Sequence, residues 1–162
     1  PRKKYVMKMR SKESLQRDLY EEQFRKAQER LLNLPVHAGV LPVLEVLEDE
    51  THYYIIMECA TGGAFLPSLL AEFKDGIMPE HAVKGLMREV LEAVGHVHSQ
   101  GMLHRDIKPD NLVMQVQENE FGEKVRKVAL IDFDHADPDF NPGTPCRGGF
   151  CGTVLFCAPE AI

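Results

Sequence analysis

Residues 104–111, His-Arg-Asp-Ile-Lys-Pro-Asp-Asn, concentrate charged and amide side chains in one short stretch between two apolar patterns. Asp106 and Lys108 are two positions apart, so in an extended loop their side chains project toward the same side. Asn111 follows Asp106 by five residues, far enough to reach a second point of one site. Such a set suits phosphoryl transfer, in which a carboxylate orients the attacking hydroxyl, a cation offsets phosphoryl charge and an amide oxygen holds a metal.

The same eight residues resemble the catalytic loop of the protein kinases. Lys108, two residues after Asp106, resembles the serine/threonine branch of that family. The resemblance implies that Asp106 and Lys108 are catalytic and that Asn111 binds magnesium. A charged surface turn is the alternative interpretation, but other motifs of the family follow in the expected order, which argues against it.

The composition is that of an ordinary globular protein of about one domain. Hydrophobic residues make up 44% and charged residues 27% of the 162 residues, enough for a buried core. The formal net charge of −6 argues against a general nucleic-acid binder, and no apolar run reaches the roughly 18 residues of a membrane span. Because no Cys-x-x-Cys pair occurs, we interpret four cysteines as reduced thiols of an intracellular, cytoplasmic protein rather than zinc ligands or disulfides: Cys59, Cys146, Cys151 and Cys157.

The first apolar run, residues 5–8, ends in a lysine and predicts a β-strand. Taken alone, it could be an edge strand with a solvent-exposed Lys8. Beside the motif at 104–111, it resembles the kinase strand whose lysine binds the α- and β-phosphates of ATP. The resemblance implies that role for Lys8 and places Val6 over the adenine ring.

Residues 11–33 predict one long helix with Ser11 as its N-cap. An apolar stripe recurs at steps of three and four residues: Tyr20, Phe24, Ala27, Leu31 and Leu34. In kinases this helix supplies a glutamate that pairs with the strand lysine, and the matching position here is Gln28, with Glu29 next to it. Either an amide replaces the partner of Lys8, which gives a weaker bond than a charged group, or Glu29 takes that place.

Two apolar runs at 43–47 and 52–57 predict a hairpin that leads into a link with two glycines. The second run resembles the kinase strand that enters the hinge between two lobes. The resemblance implies adenine contacts from Met57 and from backbone groups of Glu58 and Ala60.

Apolar residues at helical spacing predict a long helix that starts at Pro79 and ends at Gly101. Two strands are predicted to follow, at 112–116 and 128–131, with a solvent-exposed hairpin extension between them. The resemblance places Val113 under the adenine ring.

Asp132-Phe133-Asp134 follows the second of these strands and resembles the kinase Asp-Phe-Gly motif. The resemblance implies that Asp132 binds magnesium, since this hard cation prefers carboxylate oxygens. Asp134 stands where the family has glycine. The change could restrict switching of the loop, because Asp tolerates positive φ less well than Gly, or it could add a carboxylate near the metal.

Residues 135–150 are rich in Pro, Gly and Asp, which predicts a mobile loop in the position of the kinase activation segment. Thr144 is a candidate phosphorylation site. The resemblance implies that Arg105 is the cation that receives a phosphate on this loop.

Residues 152–160 resemble the end of the activation segment, from Gly-Thr to Ala-Pro-Glu. The resemblance implies that Thr153 hydrogen-bonds near Asp106 and Lys108 and shapes the peptide site. It also implies that Glu160 pairs with an arginine further along such a domain.

The predicted fold class is α+β, a protein-kinase-like two-lobe fold. The predicted parts are an N-terminal lobe over 1–57, a hinge over 58–63 and a C-terminal lobe over 64–162. We expect the fold to be incomplete, with part of a β-rich N-lobe and the first half of a helical C-lobe, because the sequence shows no Gly-rich loop before Lys8 and no helical remainder.

The resemblance implies a serine/threonine protein kinase that uses ATP and Mg²⁺ and acts on a protein substrate. Two alternatives stay open. A pseudokinase is favoured by Gln28 and Asp134, which depart from the family pattern. A small-molecule phosphotransferase of the same fold is disfavoured by Thr153 and residues 158–160, which resemble parts of a peptide-binding surface.

Overall fold

The computed structural model describes residues 3–18, 20–144 and 150–159. It contains five strands, β1 (Tyr5–Ser11), β2 (Val43–Glu48), β3 (His52–Glu58), β4 (Leu112–Glu118) and β5 (Lys124–Leu130). Its four α-helices within those described ranges are α1 (Lys12–Arg17), α2 (Glu21–Leu32), α3 (Phe65–Glu72) and α4 (Glu80–Ser99). Both sheets are antiparallel and helices pack beside them, as in the α+β class that the sequence predicts.

The first part of the chain forms a three-stranded antiparallel sheet in the order β1-β3-β2. We call this part, residues 3–58, the sheet region. Helices α1 and α2 pack on it and close a small core of four buried side chains among the described residues: Leu15, Phe24, Tyr53 and Ile55. The predicted hairpin between β2 and β3 is confirmed.

The second part of the chain is built on α4 and on the antiparallel hairpin of β4 and β5. We call this part, residues 64–144, the helix–hairpin region. Helix α4 confirms the predicted long helix and turns Val90, Ala93 and Val97 toward the hairpin. Ala27 and Leu31 of α2 enter the same core, so α2 packs against both regions.

The two regions are also joined through the backbone of Leu130, the last residue of β5. Its N–H donates to the carbonyl of Gly39 at 2.8 Å, and its carbonyl accepts the N–H of Leu41 at 3.0 Å. Because Asp132 lies two residues beyond Leu130, this junction places the Asp132 segment beside the sheet region.

The prediction of one helix over 11–33 is wrong, because the chain forms two helices there, separated around Asp18 and Tyr20. In one continuous helix, Leu15 and Phe24 would be about 180° apart, at roughly 100° per residue. The break lets both side chains enter the same core. Ser11 is confirmed as an N-cap, since its Oγ accepts the Ser14 N–H at 3.4 Å.

The hairpin extension is confirmed, with β4 and β5 paired in register from Leu112 and Leu130 to Glu118 and Lys124. Only the turn at 119–123 is left as loop. Within the described ranges, no helix combines the length and the apolar composition that crossing a membrane requires.

Candidate functional site

The loop at 104–111 is anchored by a buried histidine. His104 is 2% exposed, and its Nδ1 lies 3.2 Å from the N–H of Asp106, which makes Nδ1 an acceptor. The other ring nitrogen, Nε2, therefore carries the proton and donates to the Ile131 carbonyl at 2.8 Å. Burial lowers the pKa of His104, so the ring is neutral near pH 7. The histidine thus joins the segment of Asp106 to the segment of Asp132.

Asp106 is the centre of a compact hydrogen-bonded cluster. Its Oδ1 accepts from Thr153 Oγ1 at 2.8 Å, and its Oδ2 accepts from Asn111 Nδ2 at 2.9 Å and lies 2.8 Å from Lys108 Nζ. Burial raises the pKa of Asp106, but hydrogen bonds from Lys108, Thr153 and Asn111 outweigh it, so the net pKa is lowered. The carboxylate is therefore ionised at neutral pH.

Lys108 and Thr153 complete this cluster. Lys108 Nζ donates to Thr153 Oγ1 at 2.8 Å, and its bond to Asp106 raises its pKa. Thr153 reaches the cluster because Gly152 before it has φ of 98° and passes close to the loop, where a Cβ would lie 2.4 Å from the Arg105 carbonyl oxygen. Thr153, singled out in the sequence separately from the loop at 104–111, is thus in contact with Asp106 and Lys108 of that loop.

Asn111 is almost fully buried and uses its amide nitrogen on Asp106. Nδ2 donates to the Asp106 backbone carbonyl at 2.8 Å and to its Oδ2 at 2.9 Å. Both amide hydrogens are then engaged, which leaves Oδ1 as the group with which Asn111 can coordinate a cation.

Asp132 forms the second half of the site. Its backbone adopts the left-handed region with φ of 63°, which is uncommon for a residue other than glycine and typical of functional sites. Its Oδ1 lies 2.7 Å from Lys8 Nζ. Burial raises the pKa of Asp132, but the Lys8 ammonium outweighs it, so the net pKa is lowered. The two halves are joined through the backbone, since the Ile131 N–H donates to the Asn111 carbonyl at 3.0 Å.

The described residues contain no group of three or more His, Cys, Asp or Glu arranged to hold a metal ion by themselves. Hard oxygen donors from Asn111 and Asp132 nevertheless fit magnesium. This ion usually keeps waters and takes one or two carboxylates together with substrate phosphates.

Val6, Lys8 and Met57 lie on one face of the three-stranded sheet. Val6 and Met57 are direct partners in the register of β1 and β3, and Lys8 follows Val6 by two residues on the same face. Lys8 and Met57 line a small cavity together with Asp132 and Phe133.

The link after β3 lies against β4 and brings Val113 beside it. Gly62 donates its N–H to the Met114 carbonyl at 2.7 Å, and a Cβ on Gly62 would lie 2.6 Å from that oxygen. Val113 forms a bridge with Ala64 directly after the link, which also contains Ala60. Glu58, at the end of β3, pairs with Lys3 at 3.6 Å through its side chain.

The alternative that Glu29 pairs with Lys8 is wrong. Glu29 lies on the exposed face of α2 and pairs with Arg25. Gln28 instead lines the cavity beside Lys8 as the polar residue that α2 contributes, and it is 3% exposed. The second acidic partner of Lys8 is Asp134, whose Oδ1 lies 2.7 Å from Nζ. Sequence reasoning missed this pair, although the replacement of glycine at 134 marked the position.

The segment after Asp134 is attached to α2. Gln23 Nε2 donates to the Ala136 carbonyl at 3.0 Å, and Arg30 donates to the carbonyls of Pro138 and Gln100. Thr144 is exposed and donates its hydroxyl to the Asn141 carbonyl at 2.8 Å. Phosphorylation of Thr144, with Arg105 receiving the phosphate, stays a prediction. Glu160 and Cys146 lie outside the described residues.

Comparison with known proteins identifies the family of this chain. The family model described as the protein kinase domain matches residues 1–162. Sperm motility kinase 3A of Mus musculus is 34% identical over 137 residues, which is 82% of this chain and 24% of that protein. The serine/threonine-protein kinase cds1 of Schizosaccharomyces pombe is 33% identical over 126 residues, which is 78% of this chain and 25% of that protein.

A calcium/calmodulin-dependent protein kinase type 1 of Macrobrachium nipponense is 31% identical over 133 residues, 82% of this chain and 35% of that protein. The chain thus spans about a quarter to a third of the length of these relatives. The family match extends over every residue of the chain, and the relatives named here are all kinases. This chain therefore belongs to the protein kinase domain family, of the eukaryotic serine/threonine type.

Proposed function

We propose that the protein is a serine/threonine protein kinase that uses ATP and Mg²⁺ to phosphorylate a hydroxyl group of a protein substrate. The observation that carries the proposal is the contact network around Asp106, in which Lys108, Thr153 and Asn111 hold an ionised carboxylate in one orientation. A fixed carboxylate of this kind can align a hydroxyl and accept its proton.

The roles within this cluster follow from charge and reach. Asp106 orients the substrate hydroxyl and accepts its proton. Lys108, a cation bonded to both Asp106 and Thr153, offsets negative charge on the transferred phosphoryl group. Thr153 holds the carboxylate and the ammonium at a fixed separation and borders the position of the substrate peptide.

The nucleotide is proposed to bind between the sheet region and the helix–hairpin region. Lys8 binds the α- and β-phosphates, while Val6 and Met57 on one side and Val113 on the other enclose the adenine ring. Backbone groups of Glu58 and Ala60 bind the adenine edge. These assignments divide the chain into an N-terminal lobe, a hinge and a C-terminal lobe at the boundaries predicted from the sequence.

Asn111 and Asp132 are proposed as the magnesium ligands, through the amide Oδ1 and the carboxylate. When bound, magnesium supplies positive charge that offsets the phosphate oxygens. The protein's own part is to hold Asp132 in its left-handed backbone conformation and to hold Asn111 on Asp106. We propose an intracellular location, consistent with the thiol interpretation of the cysteines, and a protein as the second substrate.

The full-length protein with Mg²⁺ and labelled ATP tests the proposal. We expect Asp106→Asn to lower the transfer rate by about 10²–10⁴-fold, because the general base is lost while the shape is kept. Asp110→Asn is the matched control: it removes an exposed carboxylate from the same loop and is expected to leave the rate nearly unchanged. Equal transfer by wild type and Asp106→Asn would overturn the proposal in favour of a pseudokinase.

A further inference from the structure

The ammonium of Lys8 contacts two carboxylates at the same distance. Oδ1 of Asp132 and Oδ1 of Asp134 each lie 2.7 Å from Lys8 Nζ. The two carboxylates belong to the same short segment but have different environments. Asp132 is the proposed metal ligand, and its side chain is 37% exposed, whereas that of Asp134 is only 9% exposed.

Helix α2 offers Lys8 no carboxylate. The helix has three acidic residues, and each one bonds elsewhere: Glu21 accepts from the Tyr53 hydroxyl, Glu22 pairs with Lys26 and Glu29 pairs with Arg25. The helix residues that line the cavity beside Lys8 are Gln28 and Leu31, and neither carries a charge. Nothing on α2 therefore supplies a negative charge that could hold the ammonium in place.

Asp134 is bound on both of its oxygens by cations from one strand. While Oδ1 contacts Lys8, Oδ2 lies 3.0 Å from Arg10 Nε, an ion pair without hydrogen-bond alignment. Lys8 and Arg10 are two residues apart on β1 and share one face of the sheet. Asp134 thus ties the face of β1 that carries Lys8 to the segment after Asp132.

When a divalent cation is bound, the two carboxylates no longer attract the Lys8 ammonium equally. A carboxylate that coordinates magnesium gives up part of its attraction for a neighbouring ammonium. Asp132 is the carboxylate proposed to coordinate magnesium. Asp134, whose oxygens face Lys8 and Arg10, remains as the fixed negative charge beside Lys8.

We propose that Asp134 is the positioning residue for Lys8, holding its ammonium where nucleotide phosphates bind. The inference rests on the proposed function, because it assumes that Lys8 meets phosphates. It also gives the aspartate at 134 a definite role: its oxygens are engaged by two cations rather than offered to a metal.

The first test is equilibrium binding of a fluorescent ATP analogue to the full-length protein, measured with and without Mg²⁺. Asp134→Asn is expected to weaken binding by about tenfold, since an unanchored lysine must be ordered by the ligand itself. KM for ATP is expected to rise more than kcat falls. Asp139→Asn is the matched control: this exposed carboxylate of the same segment lies near Lys26 and Arg30 and is expected to change binding less than about twofold.

The second test moves the negative charge from position 134 to position 28. Gln28→Glu adds a carboxylate to the same cavity from the opposite side, so Asp134→Asn/Gln28→Glu is expected to recover most of the lost affinity. A purely structural role of Asp134 gives no such rescue. Wild-type affinity in Asp134→Asn, or a folded double variant that stays as weak as Asp134→Asn, would overturn the inference.

Removing the Asp134 carboxylate leaves Lys8 with Asp132 alone and takes away the ion-pair partner of Arg10, which could unfold the protein before any binding is measured. Arg10→Gln/Asp134→Asn removes one cation together with the carboxylate. Thermal unfolding without ligand checks that it folds, and weakened nucleotide binding is still expected of it. Normal affinity in this folded variant would also overturn the inference.

Different experiments would contradict the inference and the proposed function. Unchanged phosphate transfer in Asp106→Asn contradicts the kinase proposal but leaves the nucleotide-binding result for Asp134 as measured. Unchanged nucleotide binding in Asp134→Asn contradicts the inference and leaves phosphate transfer as measured.

Discussion

The sheet region and the helix–hairpin region differ in how much core holds each one together. Among the described residues, four side chains are buried in the small core of the sheet region and thirteen in the core that α4, β4 and β5 share with α2. The outer strand β1 also leaves several large apolar side chains exposed: Tyr5, Val6, Met7 and Met9. The core that belongs to the sheet region alone is therefore small, and Ala27, Leu31 and Val40 of this region are buried in the large core instead.

The candidate site takes different groups from each region. Asp106, Asn111 and Asp132 lie on loops that leave the large core, and buried His104 connects them. Lys8 comes from the weakly supported strand β1. The comparison teaches that packing of the large core positions Asp106, Asn111 and Asp132, whereas the position of Lys8 depends on a small core and on ion pairs.

The largest expected effect is that of Phe24→Ala in the small core. Phe24 is fully buried against Tyr53, with ring centroids 5.5 Å apart. We expect the free energy of unfolding to fall by about 3–5 kcal/mol, because a large cavity is left. Denaturant unfolding measures the loss. Amide hydrogen exchange should accelerate more in β1 and β3 than in β4 and β5.

Leu130→Ala is the matched variant in the large core, where Leu130 is also fully buried. A loss of about 2–5 kcal/mol is expected, with the larger acceleration of exchange in β4 and β5. If both variants accelerate amide exchange equally in the two regions, the regions unfold as one unit. That result would contradict the difference in core size as a cause of different local stability.

The next effect concerns His104, which links Asp106 to Asp132. Burial lowers its pKa in the folded protein below the unfolded value of about 6.5. As the pH falls below the unfolded pKa, the unfolded chain binds a proton more readily than the folded protein does. The free energy of unfolding therefore decreases toward acid pH. We expect His104→Gln to be less stable than wild type at about pH 7, by roughly 1–3 kcal/mol for two disrupted buried hydrogen bonds.

The same variant is expected to show a shallower loss of stability between about pH 7 and 5, a range that spans the unfolded histidine pKa of about 6.5. Some slope should remain, because burial and the neighbouring His96 also lower the pKa of His37. Chemical unfolding at several pH values is the measurement. An identical slope in both proteins would mean that His104 is not buried as a neutral ring.

The smallest expected effect is that of Ser11→Ala at the junction of β1 and α1. The Ser11 side chain caps α1 through a long bond of 3.4 Å to the Ser14 N–H. We expect a loss of about 0.5–1 kcal/mol, at the lower end for N-caps. Ser11→Thr keeps the acceptor and serves as the control. A loss as large as that of Phe24→Ala would show that the small core depends on this cap.

Much of the site was predictable because its chemistry is local. Asp106, Lys108 and Asn111 lie within one loop, so their spacing alone indicates that they meet. The strand at β1, the hairpin of β2 and β3 and the long helix α4 follow from periodicity and from Gly and Pro signals. The resemblance to kinases then related Thr153 and Asp132 to the same loop, and the structure places them there.

The errors arose where distant packing overruled a local pattern. The stretch at 11–33 was predicted as one helix from an apolar stripe that begins at Tyr20, yet the chain breaks between α1 and α2, and Leu15 and Phe24 face one core. Glu29 is a chemically reasonable partner for Lys8, but its position on α2 turns it toward solvent and Arg25. Neither outcome can be deduced without knowing which face of the helix the sheet covers.

The amino-acid sequence by itself determined the family of this protein, the order of its strands and helices apart from the break between α1 and α2, and the identity of most groups in its candidate site. These depend on short-range spacing and on residue chemistry. Only the tertiary structure decided that Asp134, rather than an acidic residue of α2, forms an ion pair with Lys8. It also decided that buried His104 joins the segments of Asp106 and Asp132. Lys8 and Asp132 are separated by 124 residues in the chain, and pairing over such a distance is set by how two regions pack.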